Sequence, residues 1–453
     1  MKKNLYAVPL KERLAYALGD VGCNFVWSVV ASFLILYYTD SVGISAAVIG
    51  TLMLITRLLD GFTDLGFGYI LDKTKSKHGR ARPWILWSTP MMAVGLVLLF
   101  SVPDFLSIDG KIIYAYVTYI FLAAVAYTAS NLSYNTLLSY MTNDQPSRIS
   151  ANSYRFLMTA FLVIILSYCV PPMTKALGWT TTAVIFAALA TICFLITFSQ
   201  VKERVGAIKS PKDEVSGLEG FKLLFKNRYF YTICIMFVCY YLAQGIFFSL
   251  GVYFCRDVLG NVVYYGDMNL CYNVCKIIGL VFLPVVAVKY GKWKVMMVGW
   301  FLMTIGSLLL VLAASQIFFL YIGSIIRGLG GSLISACLFT IIADAVEYGE
   351  WKTGVRQAGL TNSATSFGMK VGTGLGTAVV GWGLAFGNYD GSLTGQSAYT
   401  LQTETLVFVG VPTICFAIAI AIVAMIFTNI DKIYPKIIKD LEARKAQSSE
   451  EKA

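Results

Sequence analysis

The sequence predicts an all-α membrane protein, a polytopic chain of twelve transmembrane helices arranged in two six-helix bundles. Three observations carry this reading. Of the 453 residues, 57% are hydrophobic and 13% charged, against roughly a quarter charged in soluble domains. Apolar runs of about twenty residues or more, the length a helix needs to cross a bilayer, recur along the whole chain. The basic residues collect on one side of those runs.

The runs fall near 12–38, 43–71, 83–103, 112–141, 149–172, 179–200, 229–254, 262–288, 293–313, 316–346, 357–386 and 402–428. The first leads straight into further runs, so it reads as a span and not as a cleavable signal. Of the 36 Lys and Arg, only Lys111, Lys175 and Arg256 fall on the far side, and Arg57, Arg155, Lys276, Arg327 and Lys370 fall inside runs. All the others lie on the side that holds both termini. The positive-inside rule makes that side cytoplasmic and predicts a multi-pass protein of the plasma or inner cell membrane. It also accounts for the net charge of +11 without a nucleic-acid partner.

A charged stretch, 201–228, containing Pro211, divides the chain. The expected domains are an N-terminal bundle (12–200), this cytoplasmic linker, a C-terminal bundle (229–428) and a cytoplasmic tail (429–453). Matching basic connections follow the second helix (Asp72 to Arg82) and the eighth (Lys289 to Lys294). Two such halves suggest the major facilitator architecture, with a site between them near the bilayer midplane.

Metal and enzyme chemistry find little support. The single histidine, His78, sits in a basic loop, and the ten cysteines form no CxxC pair. No Ser/His constellation is present, and no cofactor is expected beyond a coupling cation.

An ionisable group at the bilayer centre costs about 2.5–3.5 kcal/mol on insertion scales, so it faces a cavity and finds partners. In the second helix Arg57, Asp60 and Asp64 share one face at i, i+3, i+7. Two carboxylates a turn apart supply hard oxygen ligands for an alkali cation, or share a proton. Arg57 offsets their repulsion. An internal salt-bridge cluster is the alternative. In the eleventh helix Asn362, Ser366 and Lys370 share a face. Lys370 needs a counter-charge, and the second-helix acids are the candidates; snorkelling to the interface is the alternative. The first helix aligns Asp20, Asn24 and Trp27, the fourth Thr128, Asn131 and Asn135, and the fifth adds Arg155. Amides, a guanidinium and an indole suit vicinal hydroxyls and a flat sugar face. Each could instead be interhelical glue.

These residues lie in motifs that resemble the glycoside–pentoside–hexuronide:cation symporters. The motifs are Tyr16 to Asn24, Tyr37-Tyr38-Thr39-Asp40, Arg57…Asp60…Asp64, Lys77 to Trp84, and Asp344 to Arg356 in the tenth-to-eleventh connection, followed by Lys370. The resemblance covers nearly the whole chain. It implies that Asp60, Asp64 and Thr128, with Thr63 beside them, bind the coupling cation, Na+ or H+. Asp20, Asn24, Trp27, Asn131, Asn135, Arg155, Ser366 and Lys370 would serve the sugar. Lys370 would link the two sites in a charge network with Arg57, Asp344 and Arg356. The melibiose branch has acids where this chain has Asn24 and Asn131, and a tryptophan in place of Asn135, so the asparagines resemble the glucuronide and xyloside branches more. The expected function is cation-coupled symport of a glycoside by alternating access, in a chain that works as a monomer. The alternatives are a transporter of lipid-like or drug-like solutes, or a non-transporting sensor.

Overall fold

In the computed structural model, residues 8–142, 144–204, 227–353, 358–393, 395–426 and, within 436–443, all but 438 and 442 are described. Among them the regular structure is helical. That is the outcome lipid demands, since no water is there to satisfy an open backbone group. Eleven helices among the described residues are long and apolar enough to cross a membrane, at eleven of the twelve expected runs. The other run, 357–386, is occupied by the helix Ala358–Phe386, of whose side chains those from 365 onward are described.

The helices are α1 (Leu10–Leu36), α2 (Ala46–Lys73), α3 (Arg82–Leu99), α4 (Ile108–Ile120), α5 (Thr128–Met141), α6 (Gln145–Leu177), α7 (Trp179–Gln200), α8 (Arg228–Tyr253), α9 (Val263–Tyr290), α10 (Lys292–Val311), α11 (Phe318–Thr353), α12 (Ala358–Phe386), α13 (Ala398–Thr405) and α14 (Val411–Ile426). Four π-helical segments interrupt or extend them: Tyr37–Val42 after α1, Phe121–Tyr127 between α4 and α5, Phe254–Val258 after α8, and Leu406–Gly410 between α13 and α14. One expectation is corrected here. Asp344 to Thr353 is not part of a connection but the end of α11. Hydropathy marks where lipid ends, and a helix can continue past that level into water.

The described chain forms two compact units. The first comprises residues up to 209 together with 245–269 and 377–405; the second comprises 210–244, 270–376 and 406 onward. In the first unit α1 packs against α6 and α7, and α3 against α5 and α7. At the crossing of α2 with the end of α12 two backbones touch. A Cβ on Gly381 would lie 2.3 Å from the Ala46 carbonyl oxygen and 2.8 Å from the Gly50 Cα, so neither helix tolerates a side chain there. In the second unit α8, α10, α11 and α14 enclose a core around Trp300, Met303, Tyr240 and Phe416, joined by Ile437 and Leu441 from the tail.

The end of the first unit that holds the 72–82 loop is tied by two residues of the stretch 201–228. The Glu203 carboxylate accepts the backbone N–H groups of Arg80, Ala81 and Arg82 at 2.8, 2.9 and 2.9 Å, capping the otherwise orphaned donors that open α3. Arg204 donates twice to Glu12, at 2.7 and 2.6 Å, and that bond holds its guanidinium more firmly protonated than usual. Replacing Glu203 by alanine should lower stability by about 1–2 kcal/mol, the size of a lost helix cap. Thermal unfolding of the purified protein in detergent checks this, and an unchanged midpoint would show that the three bonds contribute nothing.

Candidate functional site

The polar side chains of α1, α2, α5 and α6 meet inside the first unit in two linked clusters. The first is centred on Asp60. Its side chain is 2% exposed, and each carboxylate oxygen has a donor. Arg57 Nη1 lies 3.0 Å from Oδ2, and Thr128 Oγ1 donates to Oδ1 at 2.8 Å. The Arg57 contact is local, between successive turns of α2. The Thr128 contact depends on the π segment before α5, because a π turn rotates the side chains beyond it relative to a regular helix. Thr63 donates to the Asp60 carbonyl at 3.2 Å. Asp64 comes one turn later on the same face, half-buried. Of the four residues expected to hold a cation, Asp60 and Thr128 are thus in contact between α2 and α5, and Thr63 and Asp64 follow Asp60 within about one turn of α2.

The Arg57 guanidinium also lies over the Trp27 ring, 3.6 Å from its centre. Trp27 in turn packs on Tyr127 at 5.0 Å. From Tyr127 a ladder of side chains climbs one face of α5. Asn131 Nδ2 donates to the Tyr127 hydroxyl at 3.3 Å, and Asn135 Nδ2 to Asn131 Oδ1 at 2.8 Å. Helical periodicity groups Asn131 and Asn135 with Thr128. In space their partner is Tyr127, four residues before Asn131, and Thr128 turns towards α2 instead. The i, i+4, i+8 spacing of 127, 131 and 135 was the available signal.

The second cluster is centred on Asp20, also buried. Thr159 Oγ1 donates to Asp20 Oδ2 at 2.7 Å, and Arg155 Nε lies 3.2 Å from the same oxygen. Asn24 Nδ2 donates to the Asp20 carbonyl at 2.9 Å. The Arg155 guanidinium carbon stands 5.2 Å from the Tyr134 ring centre. Tyr134 stacks on Tyr16 and donates to its carbonyl at 3.0 Å. Thr159, Tyr127, Tyr134 and Tyr16 were not singled out in the sequence. Thr159 lies one helical turn beyond Arg155, which was the signal for it.

The formal charges of these clusters come from three acids, Asp20, Asp60 and Asp64, and two bases, Arg57 and Arg155. Asp60 and Asp20 each hold an arginine, so both guanidiniums already face a carboxylate.

The remaining expected residues belong to the second unit. On α12, Ser366 is exposed and Lys370 half-buried; Asn362 lies on that helix, with its side chain outside the described residues. Asp344, on α11, is buried and pairs with Lys292 at the start of α10. Arg356 lies outside the described residues.

What a helical membrane protein with a charged, hydroxyl-lined band buried among its helices does is decided by the comparisons with known proteins. Residues 15–432 match the family described as MFS/sugar transport protein, and the chain belongs to that family. The isoprimeverose transporter of Lactiplantibacillus pentosus is 33% identical over 98% of this chain and 93% of its own length. A putative glycoside/cation symporter of Escherichia coli (strain K12) is 30% identical over 96% of each. Among solved structures, the crystal structure of nucleoside transporter NupG superposes with a TM-score of 0.62 over 91% of this chain and 99% of its own, at 15% identity, a likeness of fold. The chain is therefore a multi-pass transporter of small molecules in a lipid bilayer, a member of the glycoside–pentoside–hexuronide:cation symporters.

The Asp20–Arg155 pair yields a stability prediction. Removing one partner of a buried ion pair strands the other and costs about 3–5 kcal/mol, whereas removing both costs far less. Asp20→Asn alone should therefore lower the unfolding midpoint more than Asp20→Asn combined with Arg155→Gln. A double-mutant cycle on thermal unfolding measures the difference, and strictly additive losses would refute the pairing.

Proposed function

We propose that this protein moves a neutral glycoside, with a pentose-containing disaccharide as the leading class, into the cell together with Na+ or H+. The chain would work as a monomer with both termini in the cytoplasm, by alternating access of its two sequence halves. The observation that carries the sugar class is the commitment of the two arginines of the buried clusters. Arg57 is spent on Asp60 and Arg155 on Asp20. A hexuronate carboxylate entering beside them would meet no uncommitted guanidinium in these two clusters, and leaving it poorly paired would oppose binding. A neutral sugar needs only amides, hydroxyls and a ring face. Asn24, Asn131, Asn135 and the indole of Trp27 supply these. The name of the relative that transports isoprimeverose points the same way.

The cation would bind at Asp60 and Asp64, with the Thr63 and Thr128 hydroxyls as neutral ligands. To do so it must compete with Arg57 for the Asp60 carboxylate. Arg57 would then turn from Asp60 towards the Trp27 ring it already overlies, altering the surface the sugar meets. Binding of one solute thereby favours the other, by a coupling free energy that is necessarily reciprocal. Lys370 would carry this coupling to the second sequence half, with Ser366 lining the sugar path.

Uptake by cells across a panel of xylosides, galactosides and glucuronides, with and without Na+ and across pH, tests the reading. Neutral glycosides should accumulate, and glucuronides should neither accumulate nor compete. Asp60→Asn or Asp64→Asn should abolish cation-driven accumulation; normal accumulation in both would sink the cation site. For Lys370→Gln, accumulation should fall while downhill sugar exchange persists. Sugar affinity that still rises normally with cation concentration in that variant would remove Lys370 from the coupling.

A further inference from the structure

At the far end of the first unit, three segments distant in sequence converge on Arg256. Its Nε and Nη2 donate to the two oxygens of Asp257 at 2.6 and 2.9 Å, Nη1 to Asp40 at 2.5 Å, and Nη2 also to the Tyr389 hydroxyl at 2.6 Å. The Tyr389 hydroxyl in turn donates to Asp40 Oδ1 at 2.8 Å. Beneath this lies the pair Thr39–Tyr253, hydroxyl to hydroxyl at 2.9 Å. Asp40 sits on the π segment after α1, Arg256 and Asp257 on the one after α8, and Tyr389 just past α12.

Behind the cluster is Glu404, on α13, which packs against the π segment Phe254–Val258. Its side chain is 2% exposed, and neither carboxylate oxygen has a hydrogen-bond partner. The charged groups that act on it are Asp257, Arg256 and Asp40; Tyr389 and Tyr253 complete the titratable surroundings. Among the described residues the cation acting on it is Arg256, already shared by two carboxylates. A third carboxylate, dry and without a donor, is among the least favourable places for a negative charge. A neutral acid carries no such penalty.

We propose that Glu404 is a proton-binding site, distinct from Asp60 and Asp64, whose occupancy holds this end of the protein closed. It rests on the alternating-access reading, in which Asp40 must part from Arg256 when the end opens. In the closed packing Glu404 is the neutral acid; opening lets water reach it, and it ionises at ordinary carboxylate values. The closed packing thus binds one more proton than the open one. Linkage then makes closure fully available at low pH. It is lost as pH rises above the ordinary carboxylate range, by at most about tenfold in population per pH unit.

Two measurements on the full-length protein in lipid nanodiscs test this without sugar or cation, so a failure of the symport reading would leave them standing. Infrared spectra at neutral pH should show the carbonyl band of a protonated carboxyl that Glu404→Gln lacks. In Asp257→Asn, which removes a repelling neighbour, that band should disappear at a pH lower by about one unit or more. Hydrogen exchange of 37–43 and 254–260, corrected for the intrinsic rate, should speed up with rising pH in the wild type and stay flat in Glu404→Gln, whose amide mimics the neutral acid. The same band in Glu404→Gln, an unmoved midpoint in Asp257→Asn, or an equal pH response of both proteins in exchange would overturn the proposal.

Discussion

A charge inside a lipid-embedded helix bundle cannot stand without a partner, and much of the first unit is organised around that constraint. Asp60 is held between Arg57 and Thr128, Asp20 between Arg155 and Thr159, and Arg256 between Asp40 and Asp257. Except for the local Arg57–Asp60 and Arg256–Asp257 contacts, these interactions join different helices. α2 is bound to α5, α1 to α6, and the end of α1 to the end of α8. The charges that a transporter needs for its ions are also the ones that set the register of its helices.

The constraint has a functional consequence. An ion pair in low dielectric is strong while intact and expensive to break singly, so a solute that replaces one member must bring its own charge. A cation at Asp60 would meet this condition under the proposed mechanism, because it would take the place of Arg57. A neutral sugar would meet it differently, by leaving the pairs alone and using amides and ring faces. The same pairs that would admit a cation and a neutral glycoside together would oppose an unpaired anion.

The π segments do the aiming. Each of three polar contacts of the first unit begins in one or directly after one: Thr128 comes directly after Phe121–Tyr127, Asp40 lies in Tyr37–Val42, and Arg256 and Asp257 lie in Phe254–Val258. A π turn widens the helix by one residue and re-aims the side chains beyond it. It also loosens the local backbone ladder, and a segment that must change partners during transport benefits from that. Gly43, with φ of 79°, ends the first of these segments, and Gly260, with φ of 74°, follows the third by two residues, each in a left-handed conformation that side chains rarely adopt.

Much of the fold was legible in the sequence, because hydropathy and charge asymmetry are properties of each segment alone. Lipid selects helices, their length is set by bilayer thickness, and the paired acids of α2 share a face by helical period whatever surrounds them. Single-helix periodicity could not show which face of α5 turns to α2. It grouped Thr128 with Asn131 and Asn135 on one face, but could not show that Thr128 bonds Asp60 on α2 while Asn131 bonds Tyr127. Nor could it show that Asp20 and Arg155 neutralise one another, since the two stand on different helices and their pairing exists only once α1 and α6 pack. Glu404 escaped notice for the same reason. In the sequence it is one acid near the start of an apolar run, and only the tertiary packing surrounds it with Asp40, Arg256 and Asp257 and leaves it no donor. The sequence by itself determined the solvent, the helices and the residue types that carry charge; the packing decided which charges meet, because a pairing between helices is a property of neither helix alone.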